Sequence, residues 1–319
     1  MNKPLTIVMY HYVRPIASSP WPGIKGIETA RFERQLDHIQ ANYNPVSLAR
    51  VIAARDGGEP LPENPLVLTF DDGYKDHYQH VFPALLRRGL TGAFFPPTSV
   101  VYARDILDVN KVHFVLASQD DPHPLGEAID AAVLDHRETH DLDTPEAYRA
   151  CLAKADDFDP AEVIYVKRML QHGLPEDLRR EIADALFRQF VSNDPKDFAD
   201  TLYMNRDDLA ALAAAGMEIG SHGDAHPWLN TLPAEAQRND IESSLRLIDD
   251  LGIARDGFLF CYPYGAYNDD TLKILTDLNC GAAVTSDRRV ALLSDPILTL
   301  ARIDAVDVPE TTTTARTVR

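Results

Sequence analysis

The segment from Leu66 to Gly73 constrains the fold more than any other stretch of this chain. Its run of apolar residues predicts a buried strand, which ends in the adjacent acids Asp71 and Asp72. Burying a carboxylate is costly unless it is paired, hydrogen-bonded or bound to a metal. Because the chain can turn at Gly73, both acids can reach one cleft beyond the strand. Taken alone, the segment is also compatible with a solvated Asp-Asp-Gly loop.

The neighbouring patterns favour an α/β barrel. Residues 74–88 predict a helix, so the order is strand, acidic pair, turn and helix, which is how such a barrel places catalytic groups at its carboxyl-terminal rim. Further strands are predicted at residues 4–10, 92–95, 217–220, 258–262, 281–285 and 297–301. Helices are predicted between them, at residues 32–42, 47–57, 205–215, 233–251 and 268–278.

A long middle region follows a different pattern. Helical periodicity recurs at residues 109–117, 145–155, 161–170 and 175–190, which predicts an all-helical insertion. Its histidines show no metal-like spacing with an acid on one helix face, so we expect them to be surface residues. We therefore predict four segments: a first barrel part (1–100), the helical insertion (101–202), a second barrel part (203–308) and a disordered tail (309–319). The insertion would serve as a lid, a specificity wall or an oligomer contact.

Composition limits the class of protein and its partners. The 319 residues are 45% hydrophobic and 25% charged, as in ordinary globular proteins. A net charge of -18 without Lys or Arg clusters argues against nucleic-acid binding. No apolar stretch approaches the ~18 residues of a membrane span. The three cysteines do not form a disulfide framework, and the apolar run at residues 5–10 is too short for a signal peptide. We expect a cytoplasmic protein.

A histidine pair indicates a metal site. His222 and His226 are four residues apart, and in a helical turn this spacing would place both imidazoles on one side. Two imidazoles and a carboxylate form the open three-ligand site of a hydrolytic zinc centre. Helix-capping or surface histidines are the alternative. Because this pair also follows a predicted strand, we expect one Asp of the acidic pair to bind the ion and the other to take a proton from the metal-bound water.

Three motifs resemble a known family. Residues 69–73 (TFDDG), 221–227 (SHGDAHP) and 262–265 (YPYG) resemble, in order, the first three motifs of the polysaccharide deacetylase family, also called NodB-homology or carbohydrate esterase family 4. Residues 9–13 (MYHYV) also resemble the branch that acts on poly-N-acetylglucosamine. The resemblance covers residues 1–100 and 203–305. It implies an irregular (β/α)7 barrel that removes N-acetyl groups from amino sugars.

The resemblance also implies roles for individual residues. Asp71 would be the general base, and Asp72, His222 and His226 would bind one divalent ion, Zn²⁺ first, with Co²⁺, Ni²⁺ or Fe²⁺ as alternatives. This ion would activate water and polarise the amide oxygen. Asp224 is the expected hydrogen-bond partner of a ligand imidazole.

The third motif would contribute to the oxyanion and sugar sites. The resemblance implies that the backbone N–H of Tyr264 stabilises the oxyanion and that its ring lines the sugar pocket, together with Pro263. We add Tyr74 as a further candidate substrate contact. A plain turn is the alternative interpretation of the third motif.

Two positions depart from the family pattern. Cys261 stands where the family usually has an arginine that orients the base, and Arg302 or Arg288 is the expected substitute. Residues 300–302 (LAR) stand where the family has Leu-x-His, and arginine is a poor proton donor because its pKa exceeds ~12. His11, after the first predicted strand, is our candidate for the general acid or a substrate contact. A histidine hydrogen-bonded within the rim is the alternative.

The sequence thus predicts a metal-dependent N-deacetylase of a cytoplasmic amino sugar or glycoconjugate. Its expected partner is the sugar substrate, with a homo-oligomer contact through the insertion. Three alternatives stay open: hydrolysis of another C–N bond such as a formamide or cyclic amide, deacylation of a nonulosonic-acid-type sugar, and a non-catalytic, metal-containing sugar-binding protein.

Overall fold

The computed structural model describes residues 3–156 and 159–311. They divide into two compact units. The first contains the described residues up to Pro15, Gly26–Arg104, and those from Asp200 onward, and the second contains Ile16–Lys25 and Asp105–Ala199. From residue 312 onward, the predicted disordered tail lies outside the described residues. Among the described helices, none has the length and apolarity needed to cross a membrane.

Eleven strands occur in the described part of the first unit. They are β1 (Pro4–Tyr10), β2 (Val13–Arg14), β3 (Ile27–Glu28), β4 (Asn44–Pro45), β5 (Pro65–Asp71), β6 (Ala93–Phe95), β7 (Glu218–Ile219), β8 (Leu259–Cys261), β9 (Ala282–Arg288), β10 (Ala291–Leu292) and β11 (Leu300–Asp304). Strands β2 and β3 pair with each other, β4 lies beside β5, and β10 pairs antiparallel with β1.

The other seven strands form a parallel barrel. Their order is β7-β6-β5-β1-β11-β9-β8. Ser221, just after β7, joins the two ends: its N–H donates to the carbonyl of Leu259 (2.8 Å), and its carbonyl accepts from the N–H of Cys261 (2.9 Å). Every residue of β5 is buried, as expected for a parallel strand covered on both faces. The predicted irregular (β/α)7 barrel is confirmed.

Helices surround these strands in the first unit. They are α1 (Thr29–Asn42), α2 (Leu48–Arg55), α3 (Phe82–Arg88), α4 (Thr98–Tyr102), α11 (Arg206–Ala214), α12 (Ala234–Asp250) and α13 (Asp269–Asp277). Polar caps fix two of the starts, because Asn205 and Asn268 each form a reciprocal capping box with the third helical residue. On α12, Ile241, Leu245 and Ile248 form one buried face against the barrel core.

The second unit is helical. It contains α5 (Asp108–Ala117), α6 (His123–His140), α7 (Pro145–Leu152), α8 (Ala161–Arg168), α9 (Glu176–Phe190) and most of α10 (Pro195–Leu202). Its core includes edge-to-face contacts of Phe198 with Phe114 (4.9 Å) and Phe187 (5.1 Å). The predicted roles of the insertion remain predictions.

Two histidines of the insertion, predicted to be surface residues, form a pair on one helix. His136 and His140 are one turn apart on α6, which the sequence patterns did not predict as a helix. Each faces an acid of α9: His140 Nε2 lies 3.3 Å from Asp177 Oδ2, and His136 Nε2 lies 3.8 Å from Glu181 Oε1. Both are surface histidines paired with carboxylates.

Candidate metal centre and active site

Three predicted ligands meet at the carboxyl-terminal end of the barrel. Asp72 follows β5, and His222 and His226 lie on the loop after β7. Asp72 Oδ1 is 3.4 Å from His222 Nε2 and 3.5 Å from His226 Nε2. All three side chains are buried, and their ligand atoms lie within 4.8 Å of one another. The structure therefore brings together one carboxylate and two imidazoles.

The two histidines do not converge through a helical turn, as we had expected. Residues 221–228 form an irregular loop in which Gly223 and His226 have φ values of +74° and +58°. A β-carbon at Gly223 would lie 2.5 Å from Asp240 Oδ2, so only glycine fits there without a shift. Asp72 also has a positive φ, +69°, and such conformations in non-glycine residues often accompany functional sites.

A carboxylate from α12 holds this loop. Asp240 accepts hydrogen bonds from the backbone N–H groups of Asp224 (3.1 Å) and Ala225 (2.9 Å). The side chain of Asp224 pairs with Arg246 at 3.2 Å. The prediction that Asp224 supports a ligand imidazole is therefore wrong; that partner is the carbonyl of Cys261, which accepts from His222 Nδ1 at 2.7 Å.

The donor atoms fit a divalent cation. The bond from His222 Nδ1 to the Cys261 carbonyl leaves Nε2 directed at Asp72, as in many metal-binding histidines. Burial lowers the pKa of His226 to about 3, and the charge on His222 adds to this effect, so His226 stays in the neutral form that binds metals. Its buried Nδ1 has no hydrogen-bond partner among the described residues. The second oxygen of Asp72 accepts from the Tyr74 hydroxyl at 2.6 Å.

The electrostatics also favour a positive charge at this point. Burial opposes ionisation of Asp72, but the hydrogen bond from His222 and the charges of nearby histidines outweigh it and hold the pKa of Asp72 below its usual range. Burial likewise opposes protonation of His222. The neighbouring Cys261, Asp72 and Asp71 outweigh burial and raise the pKa of His222 well above its usual value. A bound cation would supply the charge that this pair otherwise takes from a proton.

Asp71 is held by Arg302 and stands apart from the three ligands. Arg302 Nη1 and Nη2 each donate to one oxygen of Asp71 at 2.8 Å, and both side chains are buried. Burial would raise the pKa of Asp71, but the charge and hydrogen bonds of Arg302 outweigh burial and keep that pKa below its usual value. The structure thus places Arg302 where an orienting arginine is needed. Arg288 instead pairs with Asp307 at the surface.

Three further bonds fix the guanidinium of Arg302. They go to the carbonyl of Thr285 (2.7 Å), Thr69 Oγ1 (3.0 Å) and Cys261 Sγ (3.2 Å). Asp71, His222 and Cys261 form a second group with ligand-type atoms within 4.8 Å. Because the guanidinium bonds both Asp71 and Cys261, its charge opposes a second cation there.

His11 is a solvent-exposed residue beside the buried Asp71. Its side chain is 44% exposed, and Nε2 is 3.8 Å from Asp71 Oδ2, beyond hydrogen-bond length. Its backbone carbonyl accepts from Nε2 of the buried His77 at 2.8 Å. The imidazole of His11 is therefore accessible while its backbone is anchored.

The other predicted substrate contacts have different environments. Tyr74 is fully buried and donates to Asp72, so it supports a ligand and our prediction that it contacts the sugar was wrong. Pro263 is buried at the start of a 3-10 turn, Pro263–Gly265. The next residue, Tyr264, is partly exposed with φ +56°, and its ring lies 4.6 Å from the ring of His226.

Sequence reasoning missed one side chain at this site. The indole of Trp228 stacks on the ring of Tyr264, with centroids 4.3 Å apart and planes 5° apart. Its position, two residues after the ligand His226, is the feature of the sequence that could have identified it.

A parallel barrel with this Asp-His-His cluster and a separate ionised carboxylate at its rim has the architecture of a metal-assisted hydrolase. Residues 191–283 match the family model described as "Polysaccharide deacetylase", and this segment includes both histidines and Tyr264. Residues 191–283 thus resemble a polysaccharide deacetylase domain, and this match covers less than a third of the chain.

The comparisons with individual proteins agree. A 60-residue stretch is 47% identical to the "Poly-beta-1,6-N-acetyl-D-glucosamine N-deacetylase" of Escherichia coli K12; it is 18% of this chain and only 9% of that relative's length. The fold is similar to that of a Streptococcus pyogenes deacetylase, PplD, in complex with acetate, with a TM-score of 0.60, 17% identity, and coverage of 95% of this chain and 93% of that one. IcaB from Ammonifex degensii gives a TM-score of 0.55, 18% identity, and coverage of 94% and 91%.

Proposed function

We propose that this protein hydrolyses the N-acetyl group of an amino sugar, with one divalent ion bound by Asp72, His222 and His226. Zn²⁺ is the metal we propose, since two imidazoles and a carboxylate with an open position are a common catalytic zinc site. The observation that carries the proposal is that the two acids of the pair have different partners. Asp72 faces the two histidines, whereas Asp71 is held ionised by Arg302.

The groups at the rim suit amide hydrolysis. A divalent cation in the cluster would supply Lewis acidity towards an amide carbonyl and lower the pKa of water. Asp71 would accept the proton of the attacking water, and Arg302 keeps its carboxylate oriented and charged. The backbone N–H of Tyr264 would donate to the developing oxyanion.

His11 would donate a proton to the departing amine. An amine leaves an amide readily only when it is protonated, and imidazole both holds and releases a proton near neutral pH. The exposed ring of His11 lies beside Asp71, with Nε2 3.8 Å from Oδ2, so both groups could reach the same substrate amide. Arg302 cannot serve, because it is buried and committed to Asp71.

The substrate class follows from the family and its named relative. We propose an N-acetylglucosamine-type sugar, because the Escherichia coli relative is named for a polymer of that sugar. We also propose that the substrate is a cytoplasmic amino sugar or glycoconjugate. Comparing free, nucleotide-linked and oligomeric sugars tests which of these forms the protein accepts.

Acetate release is the direct test. Purified protein loaded with Zn²⁺ would be incubated with free N-acetylglucosamine, a nucleotide-linked form, and oligomers with β-1,6 or β-1,4 linkages. An N-formyl sugar and an N-acylated nonulosonic acid would test the alternative hydrolases. Acetate release from an N-acetyl sugar supports the proposal. Release only from the alternative substrates, or from none while the sugar still binds, would contradict it.

A further inference from the structure

The observation that leads beyond this reaction is the Trp228–Tyr264 stack. Trp228 lies on the loop that carries His222 and His226, two residues after the second ligand. Its indole is nearly parallel to the Tyr264 ring, which in turn contacts the imidazole of His226 edge-on. The three rings therefore form a continuous series in which Tyr264 contacts both His226 and Trp228.

The backbone of Trp228 is anchored. Its carbonyl accepts from both the N–H (3.0 Å) and the hydroxyl (2.8 Å) of Thr231, closing a tight turn. Within that turn, Leu229 is fully buried in the barrel core. This turn anchors the backbone that carries the indole, and Trp228 itself stays partly exposed. A large aromatic side chain held partly exposed beside a reactive site is typical of ligand-binding surfaces.

We propose that Trp228 forms a binding subsite for the sugar unit next to the one being deacetylated. The aliphatic C–H face of a pyranose stacks on aromatic rings, and the indole contacts the Tyr264 ring, which in turn contacts the ligand His226. This inference rests on the proposed function, and it specifies the substrate further: the preferred ligand is a glycan of at least two amino-sugar units.

The topology is consistent with an extended ligand. Strand β8, which leads into Tyr264, lies across the seven-stranded ring from β1, which leads into His11. The aromatic stack and His11 are therefore on different sides of the barrel mouth, with Asp71 and the cluster between them. A chain of sugars could contact Trp228 while its reacting unit faces Asp71 and His11.

Intrinsic fluorescence gives a readout that does not depend on turnover. The chain has two tryptophans, and Trp21 packs on Phe114 and Phe198 in the helical unit. In a Trp21→Phe variant, Trp228 is the only indole. We expect an N-acetylglucosamine tetramer to change its emission at a concentration about tenfold below that needed with the monosaccharide. Equal concentrations, or tetramer binding detected by calorimetry without any change in emission, would overturn the proposal.

The kinetics of variants at position 228 provide a second test, in which the tetramer is compared with the monosaccharide. Trp228→Ala should raise KM for the tetramer about tenfold more than it raises KM for the monosaccharide, and Trp228→Phe should restore part of the loss. An equal loss of kcat on both substrates would show that the indole only supports Tyr264, and would refute the subsite. If the emission responds to the tetramer but no acetate is released, the proposed reaction fails while the sugar subsite stands.

Discussion

Replacing Arg302 by methionine tests the most strongly coupled part of this site. The change removes two charge-assisted hydrogen bonds to Asp71 and leaves that carboxylate buried without its main partner. It also removes the bonds to Thr69, Thr285 and Cys261. Breaking one side of a buried ion pair typically costs ~3–5 kcal/mol, and we expect the free energy of unfolding at pH 7 to fall by that amount.

The loss should depend on pH in a defined direction. In the wild type the pKa of Asp71 is lowered, so its contribution to stability is present above the unfolded-state pKa of ~3.9 and is lost as pH falls through the folded value. Without Arg302, burial becomes the largest influence and should raise the pKa above ~3.9. The destabilisation should then shrink as pH falls towards 4, because protonation removes the buried charge.

Urea unfolding at pH 7 and at pH 4 measures both effects. Arg302→Lys is the matched control, since it keeps the charge but cannot form the two-pronged contact, and should lose less stability than methionine. Adding Asp71→Asn to Arg302→Met should recover stability, with a coupling energy of about 1–3 kcal/mol. A loss of the same size at both pH values, or a double variant no more stable than Arg302→Met, would refute the reasoning.

Two further predictions concern the neighbours of the ligands and base. Tyr74→Phe removes the hydroxyl that bonds Asp72 Oδ2, so Zn²⁺ affinity should fall ~10–100-fold in competition with a chelator; unchanged affinity would mean that this bond does not orient the ligand. His11→Asn should lower kcat for acetate release at least ~100-fold with unchanged metal content, and retention of full kcat would exclude His11 as the proton donor.

The barrel and its acidic pair were predictable because they rest on local patterns. Strand β5 is an uninterrupted apolar run, which is how a parallel strand buried on both faces is recognised. The helices predicted to begin at residues 205 and 268 likewise start there in the structure, where Asn205 and Asn268 are the capping residues. These features depend on residues close together in the chain.

The features that sequence reasoning left open or missed depend on distant parts of the chain. Arg302 reaches Asp71 from β11, and choosing it over Arg288 required knowing the register of β9 and β11. The histidines meet through an irregular loop braced by Asp240, whereas their spacing suggested a helical turn. The burial of Tyr74 was similarly hidden, because it depends on how the turn after β5 packs.

Asp72 is proposed to bind the metal ion, and the adjacent Asp71 is proposed to act as the general base. Metal content measured alongside acetate release tests this difference in role directly. The variants Asp72→Ala and Asp71→Asn should each be assayed after identical Zn²⁺ loading and removal of free metal. We predict that Asp72→Ala loses the bound ion, whereas Asp71→Asn retains about one Zn²⁺ per chain and loses most of its turnover. Full acetate release by Asp71→Asn, or a retained ion in Asp72→Ala, would contradict the account.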